Sequence, residues 1–387
     1  MVLFTLMINL AKKDVAHTFG KFLVTAMGVG MLLGIVLIMI GVYRGMIVDA
    51  QVLLDDLDVD VWIVQEDTLG PFAEASRVHE DLKDTIRVID GVDKTAALTF
   101  QNIQLALKEK QVRVVAVGYN PFGDISAINP QRLIEGRVLK KSHYEIVVNN
   151  KLGFSLHDKI LIGRNSYDVV GLVKGAVSSG GDPLVYISLK DAQKLQFLYS
   201  NSRIREDRER GMSGGDSHMV NTIVATLHKG YSIEKVAADI KRYKHKSVYT
   251  RFEQKNILTK NLIEKASKQI GLFTAILVLV STIIIALIIY TMTLEKMKEI
   301  SIMKLIGIPN SIIIKMIVQE TLLLGFLAFI FGNAFSHLIY SKFPKRVVLE
   351  IPDAWMLFLV VIIASIFSSF IGVKKVISAD PSAAIGG

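Results

Sequence analysis

The chain has no cysteine, which excludes disulfides, thiolate metal sites and cysteine nucleophiles. A phosphate-cradling loop of the form G-x-x-x-x-G-K-[ST] wraps phosphates in backbone amides and a lysine. No stretch has that form. The nearest pair, Gly20-Lys21-Phe22, lies at the edge of an apolar block, so the chain does not hydrolyse ATP by the P-loop route. H-E-x-x-H is also absent, and His17, His79, His143, His157, His218, His228, His245 and His337 show no ligand spacing, so no metal site is expected. The glycine-rich run from Gly175 to Gly181 fails G-x-S-x-G and reads as a turn. Gly28 and Gly30 match part of a dinucleotide fingerprint, but they sit inside a long apolar block rather than between a strand and a helix. Gln319, Glu320 and His337 remain, near the ends of another apolar block. Ionisable groups in spans are functional candidates. At this depth, within about a turn of an interface, helix pairing is expected ahead of a proton relay.

The most informative stretch is Leu294 to Pro309. Met297, Ile300, Met303 and Ile306 recur at i, i+3, and Gly307 followed by Pro309 stops the helix. The spacing predicts a short amphipathic helix whose apolar ridge faces a partner. Such an element is placed to receive force.

The elements that hold this helix follow from composition. The chain has 387 residues, 51% of them hydrophobic and 21% charged, with a mean hydropathy of +0.42, which is too apolar for a soluble protein of this size. The apolar residues concentrate in four charge-free blocks. Phe22 to Tyr43 reaches about 33 Å as a helix, enough to span a hydrocarbon layer of about 30 Å. It is longer than a signal-peptide apolar region and runs into Arg44 rather than a cleavage site. Ile270 to Leu294, Thr321 to Ser341 and Ala354 to Val373 are three further spans, the last with Trp355 as an interfacial anchor. Within the first, Ala26, Gly30 and Gly34 recur every four residues and Gly41 and Gly45 extend the stripe, a surface for close helix packing, either against another span or as a homodimer seam.

Orientation follows from flanking basic residues. Lys12, Lys13, Lys21, Lys296, Lys298, Lys304, Lys315, Lys374 and Lys375 fall on one side, while Arg44, Lys342, Lys345 and Arg346 fall on the other. The majority places both termini in the cytoplasm, and Lys345-Arg346 dissents. The net charge of +9 is accounted for by these helix ends, and no basic segment is interleaved with stacking aromatics, so nucleic acid is not a partner; membrane lipids are.

The predicted fold class is an α+β membrane protein with four transmembrane helices: one, then a large extracytoplasmic α+β domain, then three. The segments are an inner-surface helix over 1–21, spans at 22–43, 270–294, 321–341 and 354–373, the outer domain at 44–269, a coupling segment at 295–320 and a tail at 374–387. Strands are expected at Val59–Val64, Val112–Val117, Glu145–Val148, Lys159–Ile162, Tyr167–Val173, Leu184–Ile187 and Thr222–Leu227, and helices at Asp191–Tyr199 and Ile233–Tyr243. Tyr199 to Met219 is crowded with charged and small polar residues and reads as a solvated loop.

Three pieces of this sequence resemble the MacB/FtsX-like permeases, the membrane subunits of type VII ABC systems. Glu295 to Asn333 is similar to that family's signature leading into its third helix, with Glu299, Ile300, Lys304 and Gly307 at the matching positions. Arg132 to Val173 is similar to its outer domain, except that His157-Asp158 stands where a Gly-Asp turn is common. The tail, Lys374 to Ala384 with Asp380-Pro381, resembles the family's ending. The resemblance implies a homodimeric permease of the bacterial inner membrane, paired with a cytosolic ABC ATPase that holds ATP and Mg, and no cofactor on this chain itself. It makes Glu295, Lys298, Glu299, Ile300, Met303, Lys304 and Gly307 the ATPase-coupling residues, and Ala26, Gly30, Gly34 and Gly41 the packing or dimer residues. It implies export or trafficking driven through the outer domain. By similarity to the DevC-like and macrolide-exporter branches, a periplasmic adaptor (membrane-fusion protein) and an outer-membrane channel are further partners. The alternative it leaves is an FtsX-like scaffold that activates a periplasmic cell-wall hydrolase without transport.

Overall fold

A computed structural model describes residues 19–72, 74–107, 110–198, 218–260, 264–343 and 345–377. Most of the expected inner-surface helix, residues 199–217 of the expected charged loop and the end of the tail lie outside these residues, while Met219, read as the end of that loop, opens a strand. The chain divides into two compact units, Met1–Gly45 with Ala266–Gly387, and Met46–Lys265.

The first unit holds four helices long and apolar enough to cross a membrane. Helix α1 is Phe19–Leu57, longer than its apolar block because Arg44, Asp49 and Asp55 end the hydrophobic run without ending the helix. Its residues 46–57 belong to the second unit. Helices α6 (Glu264–Glu295), α8 (Asn310–Ile339) and α9 (Ile351–Ile377) supply the other three spans, and the short α7 (Met297–Leu305) joins α6 to α8. Helix α8 begins at Asn310 rather than at Thr321, so Lys315, Gln319 and Glu320 ride on its first turns.

The small-residue stripe is filled by the chain's own third span. A Cβ on Gly30 would meet the Ala328 carbonyl and Phe331 Cβ, both at 2.7 Å, and one on Gly332 would meet the Gly30 carbonyl at 2.7 Å. Gly34 faces Phe335 and the Gly332 carbonyl, and Ala26 is fully buried. The two backbones touch, which only residues without bulk permit. The homodimer-seam alternative is therefore corrected for this face: α8 already covers it. Gly41 packs instead on Val347 and Leu349 of the strap between α8 and α9, whose Val348 amide donates to the Gly41 carbonyl at 3.0 Å. Beside it, Arg44 forms a bidentate pair with Asp353 (2.6 and 2.7 Å) and a further bond to Glu350 (2.7 Å).

The second unit is built on one mixed sheet of ten strands. In chain order the strands are β1 (Val61–Val64), β2 (Val78–His79), β3 (Val92–Leu107), β4 (Lys110–Tyr119), β5 (Leu133–Gly136), β6 (Glu145–Asn149), β7 (Lys159–Ile162), β8 (Asn165–Val173), β9 (Leu184–Ser188), β10 (Met219–Val220), β11 (Thr222–Leu227) and β12 (Ser247–Thr250). The sheet runs β12-β1-β11-β3-β4-β9-β6-β8-β5, with β7 also on β8, while β2 and β10 pair separately. Helices α2 (Leu82–Arg87), α3 (Leu189–Leu198), α4 (Ile233–Lys244) and α5 (Arg251–Leu258) complete the unit.

Strand β3 was not expected from the sequence. Its run VDKTAALTFQNIQLAL mixes alanine, glutamine and asparagine with few β-branched residues, so propensity is weak, and pairing on both edges supplies what propensity does not. Up to Leu98 it pairs with β11, and from Thr99 it pairs with β4. At that change of partner the Asn221 side chain accepts from the Phe100 amide (2.8 Å) and the Thr99 hydroxyl (2.6 Å), so no backbone donor is stranded. Along β1, Trp62 enters one core with Leu98 and Val224, while Val61 and Ile63 enter another with Ile86 and Ile240. That is the period-two alternation of a strand covered on both faces. His157 takes φ +69°, the left-handed conformation that a Gly-Asp turn would use at this site.

Glu145 anchors the second half of the sheet. Its side chain is 3% exposed and accepts from Arg137 at 2.6 and 3.1 Å and from the Lys140 and Lys141 amides. Burial pushes this carboxyl up, but the Arg137 and backbone bonds outweigh it and hold it at about 2 against an ordinary 4.5. The folded value is depressed, so the stabilisation is complete above the unfolded value and is lost as pH falls toward the folded one. In denaturant titrations followed by Trp62 fluorescence, wild type should exceed Glu145→Gln by up to on the order of 3 kcal/mol above pH ~5. That advantage should shrink progressively below pH ~4.5.

Candidate functional site

The connection between the second and third spans is built as a stiff bracket. Helix α6 ends at Glu295 and α7 restarts at Met297, with Lys296 between them at φ −90°, ψ 3°. The bonds Lys296 N–H to the Met292 carbonyl (3.2 Å) and Ile300 N–H to the Lys296 carbonyl (2.9 Å) carry the backbone across that joint. At the other end, the Ile308 amide donates to the Met303 carbonyl and the Gly307 amide to the Lys304 carbonyl, both at 3.0 Å, with Gly307 at φ +89°. This is a Schellman stop, and it requires a residue tolerant of positive φ at Gly307. No atom lies within 4 Å of a Cβ built there, so the constraint on Gly307 is conformational rather than spatial. Pro309 then caps the start of α8.

The orientation of α7 corrects the expected ridge. Ile300 is 1% exposed and packs with Ile285, Ile289, Ile313 and Ile317, while Met303 and Ile308 lie against the same cluster. The i, i+3 ridge therefore faces the chain's own spans, since burying it there removes it from water without a partner. Of that ridge only Ile306 is outward, at 75% exposure. The outward face is instead Lys298, Glu299, Ile302, Leu305 and Ile306, spaced i, i+1, i+4, i+7, i+8 along one side of the helix. Lys298 and Glu299 are thus exposed as the site requires, whereas Ile300 and Met303 act as the anchor. Ile302 and Leu305 were missed in the sequence, although the same spacing marks both faces.

Charge fixes the bracket further. Lys296 Nζ lies 3.0 Å from Glu320 Oε1 on α8, with both side chains nearly buried. Glu295, on the outside, pairs with Lys21 at 3.3 Å; both are well exposed, so this contact contributes little. The other polar candidates do not join this site. His337 donates through Nδ1–H to its own helix's Asn333 carbonyl (2.9 Å), and among the described residues it makes no hydrogen bond to another helix. The Gly175–Gly181 run is a turn with both end glycines at positive φ.

Comparison with known proteins places this arrangement. A profile described as FtsX-like permease C-terminal matches residues 271–381. One described as MacB-like periplasmic core domain matches residues 22–243, more than half of the chain. The chain belongs to the MacB/FtsX-type family of ABC transporter permeases. The permease is 24% identical over 383 residues to the uncharacterized ABC transporter permease Rv0072 of Mycobacterium tuberculosis, covering 98% of this chain and 100% of that protein. It is 22% identical over 395 residues to a Staphylococcus epidermidis protein named as hemin transport system permease protein HrtB, covering 98% and 99% respectively. Among solved structures it is similar to the extracellular domain of YknZ from Gram-positive bacteria (12% identity, 50% of this chain and 99% of that chain, TM-score 0.34). It is also similar to the periplasmic region of MacB from Actinobacillus actinomycetemcomitans (11%, 52% and 92%, TM-score 0.35). As a permease of this kind, the protein is a membrane subunit with an ATPase partner.

The Lys296–Glu320 pair yields a test of the bracket. Glu320→Ala leaves a buried ammonium with its main partner removed and should destabilise the span bundle by about 3 kcal/mol or more, whereas Lys296→Met with Glu320→Leu should restore most of that loss. Thermal unfolding of the single and double variants in detergent measures both. An equal loss in the double variant would show that charge is required in itself.

Proposed function

We propose that the outward face of α7 is the surface on which a cytosolic ATPase acts, and that the permease turns nucleotide-driven movement there into movement of its outer domain. The observation that carries this reading is the bracket itself. Ile302, Leu305 and Ile306 are apolar, exposed and flanked at their N-terminal end by Lys298 and Glu299, on a helix held from behind by Ile300 and stopped at Gly307. A helix exposing apolar side chains at a membrane boundary without a partner is costly, and an apolar centre within a charged rim is the anatomy of a protein interface. ATP and Mg2+ then reside in the partner, both termini and α7 face the cytoplasm of an inner membrane, and the outer domain drives export or trafficking. Helix α1 supports this reading in that its residues run from the span unit into the second unit.

Ile306→Asp and Ile302→Asp should abolish stimulation of the co-purified ATPase, by about tenfold or more, while membrane insertion is unchanged, since Ile306 is 75% and Ile302 45% exposed and neither belongs to the core of the spans. Ile300→Asp should instead lower the amount of folded protein. The readouts are ATP turnover of the reconstituted pair and the fluorescence-detected elution profile of each variant. Full stimulation in Ile306→Asp with Ile302→Asp combined would overturn the assignment of this face.

A further inference from the structure

A cavity of about 430 Å3 opens within the span unit, where the end of α8 meets the start of α9. One end of it is aromatic. Phe326 and Phe329 on α8 and Trp355 on α9 each pack against Phe358, with ring centroids 6.3, 5.1 and 5.9 Å apart. The other end carries acceptors: Glu350, Asn333 and His337 line it, together with Asp353, whose two oxygens both accept from Arg44, so that Glu350 Oε1 is the carboxylate oxygen this guanidinium leaves open. His337 spends Nδ1 on the Asn333 carbonyl, which leaves Nε2 toward a ligand, and among the described residues the Asn333 side-chain amide has no hydrogen-bond partner.

The two ends are ordered along the membrane normal of a spanning helix. From Phe326 to His337 the rise is about 16 Å, so Phe326 and Phe329 lie in hydrocarbon, while the acceptor end sits at the headgroup level beside the α8–α9 strap, with Trp355 close to it in the first turns of α9. Arg44 balances Asp353, so the cluster keeps one excess negative charge at Glu350, and apolar walls with that charge at one end match an amphiphile with a hydrogen-bond-donating cation at its head. Aromatic faces beside a carboxylate favour an ammonium over an anion. Basic residues also stand near this end. Arg44 directs its guanidinium to Asp353 and Glu350, and Lys342, Lys345 and Arg346 lie in the strap without lining the cavity. They would favour an anionic headgroup if the strap rather than the cavity set the preference.

We propose that this cavity is a binding site for a bilayer phospholipid with a primary-ammonium headgroup, held at the head by Glu350 through the oxygen that Arg44 does not engage and by the Phe326, Phe329, Trp355 and Phe358 walls along the chain. The site is distinct from the α7 face and does not depend on the role assigned there.

Trp355 is 64% exposed and is one of two tryptophans; Trp62 is sealed in the core of the outer domain and supplies a constant background. The full chain would be reconstituted in brominated phosphatidylglycerol with rising fractions of unbrominated phosphatidylethanolamine, and Trp355 quenching measured. Relief of quenching should exceed the mole fraction of ethanolamine lipid by about threefold in relative affinity. It should fall to the mole fraction in Glu350→Gln, which removes the head charge, and in Ala354→Phe, which fills the cavity. Quenching that follows the mole fraction in wild type, whether through a second copy covering this face or ordinary boundary lipid, overturns the proposal. So does a preference for phosphatidylglycerol, or an ethanolamine preference that survives Ala354→Phe.

Discussion

The contact between Gly30, Gly34 and Gly332 governs the span unit, because two helix backbones in hydrocarbon gain little by burying more hydrocarbon. Lipid tails are as apolar as leucine, so the attraction must come from close packing. Glycine allows α1 and α8 to approach closely, and a Cβ at any of these positions would meet a backbone carbonyl of the other helix within 2.8 Å, at Gly34 together with the Phe335 ring. Once α8 lies on α1, the rest follows by short connections. The strap after α8 must cross α1 at Gly41 and Gly45, and Arg44 finds Glu350 and Asp353 at the start of α9. The same pairing supplies the charge compensation that a guanidinium near the end of a spanning block needs. It also explains how a basic residue stands on the less basic side.

The α7 bracket applies a second constraint. A helix of this length is marginal by itself. It holds its place because Ile300 is packed among four isoleucines of the spans, Lys296 reaches Glu320, and Gly307 ends the last turn with its carbonyls satisfied. With three faces of support the fourth is left outward, and its apolar residues have no use within the chain. On the reading proposed above, such a rigid element with an exposed apolar centre would serve as the surface on which the ATPase docks. A mobile loop would absorb the displacement instead of passing it on.

The outer domain solves a different problem, the joining of two half-sheets. Strand β3 serves both, pairing β11 with its first half and β4 with its second, and Asn221 satisfies the groups freed at the change. From Thr95 to Thr99 the strand is covered on both faces, whereas further on buried Ile103 and Leu105 alternate with exposed Asn102, Gln104 and Ala106, so its alternation is read by three cores and, in the second half, by solvent on one face. Arg132 with Asp56, and Arg251 with Asp55 and Asp58, tie the last turns of α1 to loops and helices of the same domain. These ties continue the helix as part of the fold well past the point where its hydrophobicity ends.

The sequence by itself determined what depends on local composition. Uncharged blocks are long enough to span because hydrocarbon tolerates no unpaired backbone, and they announced four helices around one large domain. Runs such as Val112–Val117 and Leu184–Ile187 announced strands through β-branched residues, and Gly307-Pro309 announced a helix stop through backbone conformation. Tertiary structure decided whatever depends on which surface meets which. The stripe from Ala26 to Gly41 is equally suited to a neighbouring span or a second copy, and only the position of α8 assigns it. The two faces of α7 carry nearly the same apolar spacing, and only packing on Ile285, Ile289, Ile313 and Ile317 turns Ile300 inward and leaves Ile302, Leu305 and Ile306 outside. Strand β3 was invisible because its alanines and glutamines have no strong preference of their own; long-range pairing makes it a strand, and such pairing leaves no trace in a local window.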